Sequence, residues 1–266
     1  LIGIGTVVLR TTGSGLVTAA SGGAGGNGGL TGNGGDGGDG GSAAITASSG
    51  TTTVFNRNTI VGGQGGNGGL GGTGAIDGAG GDGGAGQIMS GVILFNEGSY
   101  TGGNGGTGSV AGSGGVGILG SNVRIDNLGT ISGGLSGDGV TRALAMRLSG
   151  TNTITNIGTL VGGVEITSGT TTFDIATDQT LASVLSGGGA IAKRGAGTLV
   201  LTAQNTYTGT TTIEAGVLQL GDRNGPGSLG SGDIINNGTL FISGLSSTTL
   251  TNQISGTGAL IVDVST

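Results

Sequence analysis

The chain lacks cysteine, histidine and tryptophan altogether, and its 266 residues include one proline and two tyrosines. Without cysteine it can form no disulfide scaffold, no thiolate zinc site and no cysteine nucleophile. Without histidine it lacks the most common general base and the most common transition-metal ligand. The scarcity of aromatic side chains also leaves few surfaces on which a sugar ring could stack. These absences argue against most classes of enzyme.

Charged residues and long apolar runs are scarce as well. Eight Lys and Arg residues against 14 Asp and Glu give a net charge of −6, with no basic cluster, so we expect no nucleic-acid partner. The single basic pair, Lys193 and Arg194, is interpreted as part of a solvated rim. No run reaches the ~18–20 apolar residues of a membrane helix. No signal segment opens the chain, which we therefore expect to be mature or excised sequence.

Glycine dominates what is present. The chain has 71 glycines, about a quarter of all residues against a usual ~7%. Most of the remainder is Thr, Ser, Val, Ile and Leu, which favours short β-strands joined by turns.

A repeat organises the first part of the chain. Residues 50–63 (GTTTVFNRNTIVGG) and 150–163 (GTNTITNIGTLVGG) align without a gap over 14 positions. An asparagine precedes a Gly-Gly pair by six residues in four places, at Asn56, Asn96, Asn127 and Asn156. Asparagine tolerates left-handed backbone, and its amide can satisfy backbone groups at a corner. The pattern predicts a tight turn into a strand.

Glycine-rich inserts of different lengths follow the Gly-Gly pairs, at residues 22–41, 62–86, 102–117 and 133–139. Subtracting them leaves a repeat of roughly twenty residues, a usual coil length for a β-solenoid. Because every insert leaves from the same place in the repeat, we expect the inserts to protrude side by side from one corner.

The inserts consist mostly of Gly-Gly-x triplets. Collagen is excluded because its preorganised helix needs proline. Two alternatives stay open from the residues: glycine-rich disorder, or a threefold extended conformation in which neighbouring inserts hydrogen-bond to one another. The strict triplet period and the shared corner favour the second.

The inserts disappear from residue 164 onward. Residues 195–222 contain three short runs of alternating apolar and polar residues, separated by turn residues. Such a unit must stack on copies of itself, so residues 1–163 and 164–266 are interpreted as two parts of one continuous solenoid of about ten coils. The candidates for its interior are Val54, Ile60, Leu128, Ile131, Ile154, Leu160, Leu199, Leu201, Ile213, Leu218 and Leu220.

Three segments carry a resemblance to a known family: G-x-G-T-L-x-L at 195–201, N-T-Y-T-G at 205–209 and T-x-I-x-A-G-x-L-x-L at 211–220. Together they closely resemble the autotransporter-associated β-strand repeat of bacterial passenger domains. The resemblance implies an all-β, right-handed parallel β-helix on the bacterial cell surface. It also implies an adhesin or an aggregation and biofilm scaffold. Membrane attachment would come only through a C-terminal β-barrel outside this chain, and the partners would be host or bacterial surface molecules, or further copies.

One weak candidate for a metal site stands in the first insert. Asp36 and Asp39 match the first six positions of a calcium-binding nonapeptide, but Gly41 stands where that motif needs a large apolar residue. Calcium takes six to eight oxygen ligands, and solubilising carboxylates among glycines explain both residues more simply. No other cofactor is expected.

Three further functions compete with an adhesive role: a polysaccharide-active enzyme, an ice-binding protein and a structural stalk. A polysaccharide-active enzyme needs paired carboxylates, whereas the candidates are isolated, and we predict no catalytic residue. Ice binding needs a flat array of threonines, and the clusters at 51–53, 170–172 and 210–212 are irregularly spaced. A purely structural stalk or fibre subunit remains the main alternative. The isolated carboxylates are Asp126, Asp138, Glu165, Asp174, Asp178, Glu214 and Asp222.

Overall fold

The chain is a stack of parallel β-coils in a computed structural model, which describes residues 2–4, 7–10, 16–18, 22–49, 52–222, 225–243 and 250–263. All strand pairs in its four sheets are parallel, and the described residues contain no helix. A membrane-spanning helix is accordingly not found in this part of the chain. The predicted all-β parallel β-helix is confirmed.

Sheet B runs through the whole stack and contributes one strand to each of ten coils. Its inward residues alternate with outward ones, and Val54, Leu94, Ile125 and Ile154 follow one another in register as an aliphatic stack. All four are at most 3% exposed. The strands are β2 (Val7–Arg10), β5 (Thr52–Asn56), β8 (Val92–Asn96), β11 (Arg124–Asn127), β14 (Thr151–Asn156), β17 (Thr170–Asp174), β20 (Ala190–Arg194), β22 (Thr211–Ile213), β24 (Ile234–Asn236) and β26 (Ile254–Ser255).

Sheet A and sheet C form the other two sides of the early coils. In sheet C, Ile60, Tyr100 and Ile131 stack inside the coil. Sheet A consists of β1 (Ile2–Ile4), β4 (Ala44–Ser49), β7 (Gln87–Ser90), β10 (Ile118–Ser121), β13 (Met146–Ser149), β16 (Val164–Ile166) and β19 (Leu185–Ser186). Sheet C consists of β3 (Leu16–Thr18), β6 (Thr59–Val61), β9 (Ser99–Thr101), β12 (Thr130–Ser132) and β15 (Thr159–Val161).

Sheet D replaces sheet C as the third side of the later coils, while sheets A and B continue across residue 164. Thr170 pairs with Ala190 and Ile191 with Thr211, so each of these two coils takes 20 residues, which agrees with the predicted repeat of roughly twenty. The strands of sheet D are β18 (Gln179–Leu181), β21 (Thr198–Leu201), β23 (Val217–Leu220), β25 (Thr239–Ser243) and β27 (Ala259–Asp263).

A buried asparagine ladder lines the corner after sheet B. The Asn56 amide donates to the Asn96 side-chain oxygen (2.8 Å), and the Asn96 amide donates to Asn127 (2.7 Å). The ladder ends where Asn127 donates to the Ile157 carbonyl (2.6 Å). The side-chain amides of these three residues thus make the predicted corner contacts, whereas the left-handed backbone expected of asparagine at this corner is absent from all three.

Asn156 does not join the ladder, although the sequence repeat aligns it there. The pairing of β11 with β14 shifts between Ile125 and Asp126, so Asp126 lies opposite Asn156. The Asn156 amide therefore donates to the Asp126 carboxylate (2.7 Å), and Ile157 is the buried residue at 4% exposure.

The predicted interior is wrong at one position. Leu128 is 66% exposed, because Asn127 takes the inward place at the corner and turns the next side chain outward. Leu160 is only partly buried, and the other nine candidates are buried.

The basic pair is also placed differently from the prediction. Lys193 is 1% exposed and lies within the aliphatic stack, between Phe173 and Ile213. Its ammonium donates to the carbonyls of Arg194 and Gly195, both at 2.8 Å, and burial lowers its pKa. Only Arg194 is exposed as expected.

Candidate binding surface

Four inserts leave the β-helix at the corner between sheet C and sheet A. They occupy residues 22–41 after β3, 62–86 after β6, 102–117 after β9 and 133–145 after β12. The first to fourth inserts, named in chain order, thus share the predicted corner. The fourth extends to the start of β13, beyond the predicted boundary at 139.

Each insert is an extended hairpin that runs outward and returns. In the first insert the Gly38 amide donates to the Gly23 carbonyl and the Gly35 amide to Gly26, both at 2.7 Å. These bonds recur every three residues, as the triplet period requires. We call the outward half of each insert its outgoing row and the other half its returning row.

Neighbouring inserts are bonded to each other with the same period. Gly22, Gly25 and Gly28 donate to the carbonyls of Gln64, Asn67 and Leu70 at 2.7–2.8 Å. The outgoing row of one insert also bonds to the returning row of the previous one, as in Gly66 to Gly38 at 2.7 Å. The structure adopts the second of the two alternatives for the inserts, a threefold extended arrangement. We call the four bonded inserts the glycine lattice.

The lattice requires glycine at two of every three positions. A Cβ atom on Gly65 would lie 1.9 Å from the Gly81 carbonyl oxygen, and one on Gly66 would lie 2.0 Å from that of Gly23. Both distances are far inside van der Waals contact, so a side chain has room only at the third position of each triplet.

Asparagine and aspartate at these third positions make a recurring two-point contact. Asp39 accepts a hydrogen bond from the Asp82 amide (2.8 Å), while the amide of the following Gly40 donates to the Asp82 carbonyl (2.8 Å). Both backbone groups of one residue are thus held by one dipeptide of the preceding insert. We call this contact the Asx–Gly clamp. Seven occur, in which Asn27, Asn33, Asp36, Asp39, Asn67, Asp82 and Asn104 hold Leu70, Ile76, Ala79, Asp82, Thr107, Ser113 and Leu135 respectively.

Asp36 and Asp39, the calcium candidates, are both clamp residues. One oxygen of each carboxylate accepts a backbone amide of the second insert at 2.8 Å. Within the described ranges, no three acidic, histidine or cysteine side chains gather as they would around a metal ion. Calcium binding at these residues stays a prediction, and the clamps account for their position.

The lattice presents two faces of different character and an apolar rim. Amide side chains such as Asn27 and Asn67 lie on the outgoing rows, whereas Asp36, Asp39 and Asp82 lie on the returning rows. Apolar side chains at or near the hairpin tips are largely exposed, at 92% for Leu30, 63% for Leu70, 66% for Ile76, 67% for Val110 and 81% for Val140.

A groove of about 480 Å³ separates the returning rows from the outer side of sheet A. Its lattice wall includes Asp82, Ser113 and Gly114, and its opposite wall includes Leu119 and Arg147. The Arg147 guanidinium is paired with Glu165. The groove is therefore acidic on one side, and its one arginine is already neutralised.

The isolated carboxylates considered for catalysis mostly make structural contacts. Asp174 pairs with Arg194 (3.1 Å). Asp138 accepts from the Ser136 hydroxyl within a turn, and this bond, with those from the Val140 and Thr141 amides, lowers its pKa. Asp138 thus holds a turn of the backbone, and Asp174 joins the side chains of two neighbouring coils. Neither contact joins two carboxylates.

Asp178 provides a further structural contact of this kind. It accepts from the Thr198 amide (2.7 Å), which lowers its pKa.

The threonine clusters do not form an exposed ladder. Thr52, Thr171 and Thr211 are each at most 1% exposed and point into the coil. Thr51 lies outside the described residues.

Comparison with known proteins agrees with this architecture. A family model described as the passenger-associated transport repeat matches residues 191–220. The adhesin BmaC autotransporter of Brucella suis biovar 1 (strain 1330) is 34% identical over 146 residues, which cover 54% of this chain and 4% of that relative. The chain thus spans a small part of that relative's length.

Among solved structures, the tailspike protein gp49 from Pseudomonas phage LKA1 matches 96% of this chain and 46% of its own. The TM-score is 0.37 at 12% identity, a likeness too distant to bear on fold or activity. The chain is thus similar to autotransporter passenger sequence in its repeat at residues 191–220 and in its identity to an autotransporter adhesin over 146 residues.

Proposed function

We propose that this chain is an adhesive scaffold on a bacterial cell surface, in which the β-helix is the stem and the glycine lattice is the contact surface. Its partners are host or bacterial surface molecules, or further copies in aggregates and biofilms. It acts without a cofactor and without catalysis. The similarity to an autotransporter adhesin supports this role.

One observation carries the proposal. The clamps and glycine bonds fix the third side chain of each triplet outside the β-helix, so the lattice presents amides, carboxylates and apolar tips at set positions. A preorganised surface loses little conformational entropy on binding, whereas flexible glycine loops would lose a great deal. Loops that project from a rigid scaffold are where binding residues concentrate.

The structure supplies a clean way to remove the lattice. Where no insert is present, Gly162 and Gly163 alone connect β15 to β16. A lattice-free variant therefore replaces residues 22–41, 62–86, 102–117 and 133–145 by Gly-Gly, and the matched control is Arg124→Ala on the exposed side of sheet B. Both are compared with the unaltered chain for saturable binding to epithelial cells, matrix glycoproteins and bacterial cells.

We expect the unaltered chain and Arg124→Ala to bind, and the lattice-free variant to lose binding while its β-sheet circular dichroism persists. If all three proteins bind equally, the contact surface lies on the coils and not on the glycine lattice. Absence of binding by all three would contradict adhesion and favour a structural stalk.

A further inference from the structure

Exposed apolar side chains are concentrated at the turns of the glycine inserts. Leu70, Ile76, Val110 and Val140 belong to the second, third and fourth inserts, where the chain continues on both sides, and they are 63–81% exposed. We call these four the rim residues. Outside the inserts and the last coil, Leu128 is the one other large apolar side chain that is more than half exposed in the described part of the chain.

Along the second insert, the large apolar side chains stand next to the turn. Gln64 and Asn67 precede Leu70 on the outgoing row, and Ala79 and Asp82 follow Ile76 on the returning row. The large apolar groups of this insert are therefore confined to the part of it that lies farthest from the β-helix.

The turns of the second, third and fourth inserts descend in equal steps. Thr107, the last third-position residue on the outgoing row of the third insert, lies beside Asn67, one triplet before Leu70. Leu135 in turn lies beside Asn104, one triplet before Thr107. Each insert thus ends one triplet, about 9 Å in a threefold extended strand, short of the one before it. Equal steps place the three turns on one inclined line, so a planar surface can meet all of them.

The backbone at the rim is already hydrogen-bonded within the lattice. Clamps hold both backbone groups of Leu70 and of Ile76, and the Gly71 amide donates to the Asp77 carboxylate (2.7 Å). The Val110 carbonyl accepts a hydrogen bond from the Gly80 amide (2.8 Å). Backbone polar groups can enter the apolar part of a bilayer only when they have partners, and these groups meet that condition.

The rim residues do not share one face of the lattice. Leu70 lies on the outgoing row of the second insert, whereas Ile76 lies on its returning row. A rigid, flat protein partner could therefore cover only one of the two side chains. Lipid is fluid and would surround both.

The charges of the inserts determine which lipid fits. Asp77 and Asp138 stand close to Ile76 and Val140 in sequence, and the one basic residue of the four inserts, Arg142, donates to the Gly133 carbonyl (2.7 Å). The rim therefore lacks the basic residues that attract a protein to anionic lipid. A zwitterionic bilayer presents choline cations at its surface, which suit the two carboxylates.

We propose that the rim residues insert into the headgroup layer of a zwitterionic phospholipid bilayer. This inference rests on the proposed function in taking the glycine lattice as the contact surface, and it names phosphatidylcholine as the chemistry of the partner. Four side chains give a weak, reversible attachment, comparable at most to that of a single acyl chain. Many copies on one bacterial cell would together make the attachment firm.

Flotation of the full chain with phosphatidylcholine vesicles at millimolar lipid tests the proposal. We expect the unaltered chain to float with these vesicles, and less of it to float when they contain anionic phosphatidylglycerol. Replacing all four rim residues by serine should lower the partition coefficient about tenfold or more. Asp77→Asn keeps an acceptor for the Gly71 amide and removes a charge, so it should raise the coefficient several-fold.

The matched control is Leu128→Ser. Leu128 is as exposed as the rim residues (66%) but lies at a corner of the coils, so its replacement should leave flotation unchanged. Circular dichroism of every variant checks that the β-helix is intact.

A single tryptophan measures insertion directly, because the chain has none of its own. Thr73→Trp places it at the exposed turn of the second insert. Its emission should shift to the blue on phosphatidylcholine vesicles and should be quenched by lipid that is brominated on its acyl chains. The same tryptophan in the four-serine variant, and Leu128→Trp in the unaltered chain, should show neither effect.

A chain that does not float even with Asp77→Asn overturns the inference, as does flotation that the four serines leave unchanged. Binding to matrix glycoproteins that the four serines abolish, without any binding to vesicles, would assign the rim to a protein partner instead. Saturable binding to cells by the four-serine variant would overturn this inference and leave the proposed function standing. Flotation of a chain that binds no cell would do the reverse.

Discussion

The glycine lattice and the coil interior are stabilised in opposite ways, although one chain builds both by stacking parallel repeats. Inside the coils, side chains fill the space, and residues as large as Tyr100 and Phe173 are fully buried. Inside the lattice there are no side chains, and backbone amides bond directly to backbone carbonyls. Removing a methyl group from the coil interior, or adding a charge to it, should lower the free energy of unfolding. In the lattice, adding a methyl group should lower it.

Polar side chains make the same kind of contact in the two regions. The Asn56–Asn96–Asn127 ladder at the corner of the coils and the Asx–Gly clamps of the lattice both use side-chain amides or carboxylates to satisfy the stacked repeats. The two regions therefore differ in what fills the space between stacked repeats, and the following substitutions test that difference.

The largest effect is expected for Leu201→Asp in the coil interior. Leu201 is 0% exposed and stacks between Leu181 and Leu220. A carboxylate there has no partner, which should cost about 3–5 kcal/mol. Thermal and urea unfolding measure the loss, with Val200→Asp, on the outer side of the same strand, as the control. Equal melting of the two variants would contradict the interior stack.

A single methyl should separate lattice positions that the sequence makes look identical. Gly69→Ala places its Cβ 2.1 Å from the Gly26 oxygen and should cost about 1–3 kcal/mol through overpacking. Gly26→Ala, the same position one insert earlier, faces open space and should be neutral or slightly stabilising. Denaturant titrations of both variants provide the measurement. If both are tolerated equally, the inserts are not packed as described.

A smaller effect is expected when one clamp is removed. Asp82→Ala leaves the Ser113 amide, bonded to the carboxylate at 2.7 Å, to solvent and should cost about 0.5–1 kcal/mol. Asp82→Asn keeps the acceptor oxygen and removes the charge, so its stability should match the unaltered chain. A loss of the same size in both variants would show that charge matters and that the clamp does not.

The smallest effect is a dependence on acid. The bond from the Thr198 amide lowers the pKa of Asp178 from its ordinary value of 3.8. Its contribution is therefore complete above pH 3.8 and is lost as the pH falls through the lowered value. Melting temperatures between pH 7 and pH 2 should fall less steeply for Asp178→Asn, which keeps an acceptor without titrating. Parallel curves for the two proteins would remove this contribution.

Much of the fold could be predicted because the repeat keeps the same order of strand and turn residues from coil to coil, although the inserts differ in length. The alternation around Leu199 and Leu201 and the twenty-residue repeat determine strand, coil and interior. The recurring Gly-Gly pairs determine the corner from which the inserts leave. These features depend on the order of apolar, polar and turn residues over short stretches, which can be read directly from the sequence.

The misplaced residues depend on three-dimensional context. A register shift beside Ile125 removes Asn156 from the ladder, and no repeat alignment reveals such a shift. Lys193 is buried because carbonyls converge at a corner, which its neighbours in sequence do not show. The clamps do have a signal in the sequence, because Asn or Asp directly precedes glycine at each of them.

Amide hydrogen exchange of the glycine inserts distinguishes an ordered lattice from flexible loops. We expect slow exchange at Gly66, Gly69 and Gly81, whose amides bond to neighbouring rows, and fast exchange at Gly108 and Gly114, whose amides have no backbone acceptor among the described residues. Exchange at the rate of an unstructured chain throughout residues 22–41 and 62–86 would contradict the glycine lattice and the binding surface built on it.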